Sequence, residues 1–119
     1  MSKKVLVFDN EKEELSKIQR GFLYKDFDVE VTMNAEEIIS RSERMKPDIV
    51  ILNSNVPGFD AFEVCELIKK SMDIPIILLL DKNSDSTGKI DDCTADAIVY
   101  KPVDFPHLIQ SIKNVLQEA

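Results

Sequence analysis

Apolar residues occur along the chain in five short runs, each of strand length. The runs cover residues 4–8, 27–32, 48–53, 76–80 and 97–100. The third and fourth are almost continuously apolar, which is typical of parallel strands that are buried on both faces. The second alternates apolar and polar positions, which predicts a strand with one more exposed face. The pattern therefore predicts five strands, most of them central in a sheet.

Between these runs, apolar residues recur at spacings of three and four, which indicates amphipathic helices. The predicted inner faces are Leu15, Ile18 and Phe22; Ile38, Ile39, Ser42 and Met45; Phe62, Cys65, Ile68 and Met72; and Leu108, Ile112, Val115 and Leu116. Asp60 and Asp104 are the predicted N-caps of the third and last helices. Gly21 is expected to weaken the end of the first helix. Segment 81–96 has Ile90 as its only large apolar residue, and it predicts only a short or frayed helix.

Strands and helices alternate five times with short connections, which predicts an α/β fold with a doubly wound, parallel, five-stranded sheet, (βα)5. Right-handed crossovers make 2-1-3-4-5 the expected strand order, and residues 1–119 are expected to form a single domain. In that order the first and third strands flank a crevice at their carboxyl ends. Asp9, Asn10, Asn53 and Lys101 are therefore predicted to converge there.

Charge and composition narrow the range of partners. The net charge of −7 disfavours nucleic acids and anionic membranes and favours a basic protein surface. The sequence shows neither an apolar stretch near the ~18 residues of a membrane span nor a signal-peptide pattern, so we expect a cytoplasmic protein. Cys65 and Cys93 lack the spacing of metal ligands, and the single histidine, His107, has no partner motif.

The crevice lacks the residues of the common catalytic sites. The turn after the first strand reads DNEKEE, which is acidic and has no glycine, so it would repel the phosphate of a flavin or nucleotide. No P-loop, Ser/His/Asp or Cys/His set occurs, and no second acid is evident opposite Asp9. We therefore predict that the chain is not an enzyme.

Two segments carry a resemblance to a known family. PDIVILNSNVPGFDAFEVCELIK (47–69) and YKPVD (100–104), together with the acidic turn after the first strand, resemble the receiver domain of bacterial two-component response regulators. The resemblance covers essentially the whole chain and implies the CheY-like form of the flavodoxin-like fold. It also implies transfer of a phosphoryl group from a histidine kinase to an Asp at the tip of the third strand, with Mg²⁺ held by that Asp, a backbone carbonyl and an acidic pair.

Carried over to this sequence, the site is degenerate. The phosphoacceptor position holds Asn53, and the acidic pair is Asp9 and Asn10. A neutral amide is too weak a nucleophile to form an acyl phosphate. Lys101 matches the family's lysine, and the resemblance implies a cis bond to Pro102. We expect no cofactor, and Mg²⁺ binding at the vestigial ligands that is lost or very weak.

The switch positions of the family also differ. Leu80 stands at the Ser/Thr position that ends the fourth strand, and Ile98 stands at the aromatic position of the fifth, with Tyr100 two residues further on the same face. The joint loss of the acceptor, a metal ligand and the switch hydroxyl indicates a natural pseudo-receiver.

These observations predict a phosphorylation-independent protein-interaction module of a two-component-type system. Its partner, a histidine kinase or an output domain, is expected on the face formed by the fourth helix, the fifth strand and the last helix, about residues 81–118. We further hypothesise that Asp9 and Lys101 form a direct or water-bridged pair that replaces the metal. Two alternatives remain open: a phosphorylatable receiver whose Asp was changed to Asn53 by engineering, and a pseudo-receiver that senses a small ligand over Lys101.

Overall fold

The computed structural model describes residues 3–22, 27–81 and 94–117. Its elements are β1 (Lys3–Phe8), α1 (Lys12–Phe22), β2 (Phe27–Thr32), a 3-10 turn (Ala35–Glu37), α2 (Ile38–Met45), β3 (Ile49–Asn53), α3 (Ala61–Met72), β4 (Ile76–Asp81), β5 (Ala97–Lys101) and α4 (Phe105–Leu116). All five predicted strands are present. The helix predicted within 81–96 falls largely on residues 82–93, which lie outside the described residues.

The five strands form one parallel sheet in the order β2-β1-β3-β4-β5, which confirms the predicted topology. β1 is hydrogen-bonded to both β2 and β3, and β4 lies between β3 and β5. The strand order changes direction at β1, because β2 is added on one side of it and β3 on the other, so the loops after β1 and β3 lead to helices on opposite faces of the sheet. That divergence opens the crevice at the carboxyl ends of β1 and β3.

Alternate side chains of the strands enter two apolar layers, one on each face of the sheet. The layer that contains α1 and α4 is built on Val5, Val7, Ile49, Ile51, Ile77, Leu79 and Val99. The layer that contains α2 and α3 is built on Leu6, Phe8, Val50, Leu52, Ile76 and Leu78. Because β3 and β4 are covered on both faces, their sequences need apolar residues at every position rather than at every second one.

Of the two predicted N-caps, one makes the expected side-chain hydrogen bonds and the other does not. The Asp60 carboxylate accepts hydrogen bonds from the backbone N–H groups of Phe62 and Glu63, as predicted. Asp104 is the N-cap residue of α4, as predicted, and has an extended conformation, but its side chain makes no cap hydrogen bond. Pro106 occupies the second helical position and has no N–H, which removes one of the two donors that a cap side chain binds.

Gly21 has a packing role that its helix propensity does not reveal. A Cβ atom at this position would lie 2.5 Å from the Phe105 ring, so the ring of α4 packs directly on the backbone of α1. Phe105 also meets Phe22 edge to face, with ring centroids 5.0 Å apart. The weak helix former is therefore the residue that allows α1 and α4 to approach each other. Within the described residues, the model contains no helix that could span a membrane.

Candidate functional site

The structure brings together the four polar residues that the topology predicted to converge. Asp9 follows β1, Asn53 is the last residue of β3, and Lys101 is the last residue of β5. Their side chains, with that of Asn10, form one cluster at the carboxyl-terminal edge of the sheet, joined by two hydrogen bonds and an ion pair. We refer to Asp9, Asn10, Asn53 and Lys101 below as the polar pocket.

The Asn53 amide is fully buried and all of its groups are hydrogen-bonded. Its Nδ2 donates to Asp9 Oδ1 at 3.0 Å and to Asn10 Oδ1 at 3.1 Å, and its Oδ1 accepts from the backbone N–H of Asn55 at 3.2 Å. A backbone N–H is only a donor, so it fixes the amide orientation with oxygen toward Asn55 and nitrogen toward Asp9. Asn53 therefore contributes donors to the pocket, where an aspartate would contribute acceptors.

Asp9 is the centre of this arrangement and is completely buried. Its Oδ1 accepts from Asn53 and also from the backbone N–H of Glu11 at 3.0 Å, while its Oδ2 lies 2.9 Å from Lys101 Nζ. A buried carboxylate needs both a countercharge and hydrogen-bond donors. Here the countercharge comes from Lys101 and the donors come from Asn53 and the backbone.

Lys101 is held between two carboxylates. Its Nζ lies 2.9 Å from Asp9 Oδ2 and 3.1 Å from Glu11 Oε1, and its side chain is 11% exposed. Burial acts to lower the pKa of Lys101, but the hydrogen bonds and negative charges of Asp9 and Glu11 outweigh it and raise the pKa above the ordinary value of 10.5. The residue is therefore an ammonium ion at physiological pH.

Glu11 is the member of the site that the sequence reasoning missed. It lies in the acidic turn after β1 and is 61% exposed, yet its carboxylate contacts Lys101. The available signal was its position two residues after Asp9, whose carboxylate accepts the Glu11 N–H and so orients the turn. With Asp9 and Glu11 negative and Lys101 positive, the formal local charge is −1.

The residues of the polar pocket do not fit a bound Mg²⁺ ion. Mg²⁺ requires several oxygen ligands in near-octahedral geometry. Asn53 presents its NH₂ group to the pocket, and the Lys101 ammonium lies against one Asp9 oxygen. Among the described residues, no group of three or more His, Cys, Asp and Glu side chains is placed to hold a metal. A cation in the pocket would have to displace the ammonium and turn the amide over.

The end of β5 and the loop that follows it are hydrogen-bonded to the start of α1. The Lys101–Pro102 peptide bond is cis, the conformation that the resemblance implied. One residue later, the backbone N–H of Val103 donates to Glu14 Oε1 at 3.3 Å. The first turn of α1 and its preceding residue thus contact this loop through two acids, Glu11 at Lys101 and Glu14 at Val103.

The three switch positions lie on neighbouring strands. Leu80 of β4 is buried, Ile98 of β5 packs on the α2–α3 layer, and Tyr100 of β5 is 47% exposed. Leu80 and Tyr100 are register partners across the two strands. Leu80 has no hydroxyl group with which to contact a phosphoryl oxygen.

The fold and the site can now be compared with known proteins. A family model for the response regulator receiver domain matches residues 5–113. The chain is 27% identical over 115 residues to the sensory transduction protein BceR of Halalkalibacterium halodurans, an alignment that covers 96% of this chain and 50% of that protein. The chain thus spans about half the length of this curated relative.

Solved structures agree in fold. The CheY-like receiver domain protein of Methanospirillum hungatei is 21% identical, with a TM-score of 0.88 over 98% of this chain and 95% of that one. A two-component response regulator of Clostridium difficile is 22% identical, with a TM-score of 0.86 over 98% and 97%. The chain belongs to the response regulator receiver domain family. Receiver domains of this family interact with histidine kinases and with output domains.

Proposed function

We propose that this receiver domain works without phosphorylation, as a cytoplasmic protein-interaction module of a two-component-type pathway. The observation that carries the proposal is the hydrogen bonding of Asn53, whose NH₂ group binds Asp9 and Asn10 in the position where the family's reacting carboxylate would stand. An amide then stands in place of the nucleophile, and the oxygens of Asp9 and Asn10 that could bind a metal accept hydrogen bonds from it instead.

The Asp9–Lys101 ion pair supports a pocket held in one state. In a phosphorylatable receiver the resemblance implies that Mg²⁺ offsets the charge of the acidic residues. Here the ammonium of Lys101 lies 2.9 Å from the buried Asp9 carboxylate and offsets its charge directly. Because neither group is left uncompensated, the folded state needs no metal to tolerate them. The sequence analysis allowed either a direct or a water-bridged pair of Asp9 and Lys101, and the distance of 2.9 Å corresponds to a direct one.

Two further positions argue against a single engineered change at Asn53. Asn10 removes a negative metal ligand, and its Oδ1 is the second acceptor for the Asn53 amide. Leu80 removes the switch hydroxyl and is packed in the interior. A phosphorylatable receiver altered only at its acceptor would retain an acid and a hydroxyl at these two positions. The three residues are mutually consistent with a site that does not accept phosphate.

The partner surface that we propose includes β5 and α4, while most of the segment 81–96 that the sequence adds to this face lies outside the described residues. Tyr100 supports this choice because it is a large aromatic side chain left 47% exposed on β5, and aromatic residues are enriched at the cores of interfaces. The net charge of −7 favours a partner with a complementary basic patch.

The test is to offer the protein a phosphoryl donor and a phosphoryl analogue. The native chain is incubated with acetyl phosphate and Mg²⁺ and examined by intact mass, and separately titrated with beryllium fluoride and Mg²⁺ while backbone amide shifts are recorded by NMR. We expect no phosphoryl adduct and no shifts at residues 9–11, 53–55 and 101. An adduct that maps to the peptide containing Asn53 would overturn the proposal.

The matched control is the Asn10→Asp/Asn53→Asp double variant, which restores the two missing carboxylates. If the pocket was disabled by these residues, the variant gains Mg²⁺-dependent shifts in the same segments and a phosphoryl adduct with acetyl phosphate. The same titration in Asn55→Ser, which changes a neighbouring amide without adding charge, should leave the native behaviour unchanged.

A further inference from the structure

A second concave region lies at the amino-terminal edge of the sheet, opposite the polar pocket. It is a cavity of about 610 Å³ between the ends of α2 and α3 and the loops that lead into β3 and β4. This volume is within the range of small-molecule sites, roughly 300–1,000 Å³. Its walls come from α2, α3 and the segments that follow these helices, and none of the lining residues belongs to the polar pocket.

Ser42 gives this cavity an unused polar group. The residue lines the cavity from α2, is fully buried, and its Oγ has no hydrogen-bond partner among the described residues. A hydroxyl both donates and accepts, and burying one without a partner is unfavourable. Native proteins pair almost all such groups, with protein, water or ligand. The side chain therefore offers a hydrogen-bonding group that a polar ligand in the cavity could use.

The electrostatics of the cavity favour a cation. α2 and α3 both end here, with the capping residues Lys46 and Asp73 in the left-handed conformation, so the negative ends of two helix dipoles face the same region. The lining contains three carboxylates, on Glu43, Asp48 and Asp73, against the single ammonium of Lys46, a formal sum of −2. Asp48 also accepts from the backbone N–H of Lys4 at 2.8 Å.

The remaining wall is apolar. Met72, Ile74 and the two prolines Pro47 and Pro75 line the cavity between the charged groups. Ile74 belongs to the buried core, so this wall is anchored rather than mobile side-chain surface. A pocket with an apolar wall and a few polar groups that converge is the usual form of a small-ligand site.

We propose that this cavity binds a small organic cation, a primary amine or guanidine that carries an apolar body. The cationic group lies among the carboxylates and helix ends, the Ser42 hydroxyl accepts one of its N–H bonds, and the apolar body packs on Met72 and Ile74. The site is at the opposite edge of the sheet from Asn53, so it stands or falls independently of the proposed loss of phosphorylation.

The test is an NMR titration of the native chain with three probes of one shape and different charge. Phenethylamine is the cation, 2-phenylethanol the neutral analogue and phenylacetate the anion. We expect phenethylamine to shift amides in 42–48 and 72–75 with saturation on the order of 1 mM, the alcohol to bind several-fold more weakly, and phenylacetate not to bind. Equal binding of the anion, shifts elsewhere only, or no saturation by about 20 mM would overturn the proposal.

Two variants locate the binding. Asp73→Asn removes one charge and suits the left-handed backbone at that position, where φ is 53°, so it should fold normally. It should weaken phenethylamine about threefold to tenfold, as expected for one partly solvated charge pair. Ser42→Ala should weaken it as well, whereas Asp104→Asn, at the start of α4, should not. Unchanged affinity in both Asp73→Asn and Ser42→Ala would place the ligand elsewhere and refute the site.

Discussion

The two edges of the sheet use polar groups in opposite ways. At the carboxyl-terminal edge, the buried Asp9 and Asn53 are engaged by each other, by Lys101 and by the backbone. At the amino-terminal edge, the buried Ser42 hydroxyl has no partner within the described part of the chain and lies beside an open cavity. At the first edge the buried polar groups contact one another, whereas at the second the buried hydroxyl lines a cavity.

The comparison teaches how the residue type at one position sets the hydrogen bonding of a pocket without affecting the fold. Exchanging a carboxylate for an amide at Asn53 reverses the hydrogen-bonding character of one atom, from acceptor to donor, without changing its shape. In this chain the Asn53 NH₂ group donates to both Asp9 and Asn10. The two apolar layers that carry the strands are untouched by this exchange.

The largest effect should come from breaking the ion pair of the polar pocket. Lys101→Met keeps most of the side-chain length and removes the charge, which leaves the fully buried Asp9 carboxylate without its countercharge. We expect a loss of about 2–4 kcal/mol in the free energy of unfolding, measured by urea denaturation. The additional change Asp9→Asn should recover part of that loss, because the stranded charge is then gone.

A packing variant serves as the comparison for this loss. In Gly21→Ala the new Cβ would lie 2.5 Å from the Phe105 ring, so we expect a loss of about 1–2 kcal/mol from crowding. The polar pocket stays intact in this protein. If Lys101→Met costs less than Gly21→Ala, the ion pair contributes little to stability, and Lys101 is not the countercharge on which the buried Asp9 depends.

The next largest effect concerns the amide itself. Asn53→Asp places an acceptor against Asp9 Oδ1, where the native amide donates at 3.0 Å, and adds a like charge. We expect a loss of about 1–3 kcal/mol in the absence of metal, from the lost hydrogen bonds and the repulsion. Thermal unfolding with and without MgCl₂ should show partial recovery by Mg²⁺ in the variant and no Mg²⁺ effect in the native chain.

Ser42→Ala, at the amino-terminal edge of the sheet, should raise the free energy of unfolding, whereas the changes in the polar pocket should lower it. The change removes a buried hydroxyl that has no partner and introduces a better helix former in α2. We expect a gain of about 0.5–1 kcal/mol in the free energy of unfolding. Ser16→Ala, at an exposed position of α1, is the matched control, and its gain should be smaller. A net loss in Ser42→Ala would mean that the hydroxyl is already satisfied in solution.

The smallest expected effect is the loss of stability at alkaline pH when Lys101 loses its proton. Its pKa is raised in the folded state above the ordinary value of 10.5, so the folded state holds this proton more tightly than the unfolded chain does. The stabilisation is fully present below pH 10.5 and is lost as the pH rises through the higher folded pKa. Unfolding temperatures recorded from pH 9 to 12 should fall more steeply in the native chain and in Gly21→Ala than in Lys101→Met.

Much of the fold was predictable because the signal is periodic. Each strand was placed within a residue or two of its observed ends, since a parallel sheet covered on both faces needs unbroken apolar runs in β3 and β4. The convergence of Asp9, Asn53 and Lys101 followed from strand order alone. The family resemblance then assigned a meaning to each position, and the match over residues 5–113 shows the family.

The details that escaped prediction depend on the direction of individual side chains. Glu11 looked like one more acid in a solvated turn, and only the folded loop shows its carboxylate against Lys101. Asp104 occupied a cap position, but Pro106 withheld one of the donors it needed. Gly21 looked like a weak point, whereas the folded protein uses its missing Cβ to admit Phe105.

The sequence by itself predicted the strand order, the family and an amide, Asn53, at the tip of β3, because these depend on residue type and on apolar periodicity. Only the tertiary structure decided that the Asn53 amide presents its nitrogen to Asp9, that Lys101 pairs with two carboxylates, and that Ser42 is buried beside a cavity. The reason is physical: hydrogen bonds and ion pairs act over about 3 Å, and such distances between residues far apart in sequence exist only once the sheet has formed.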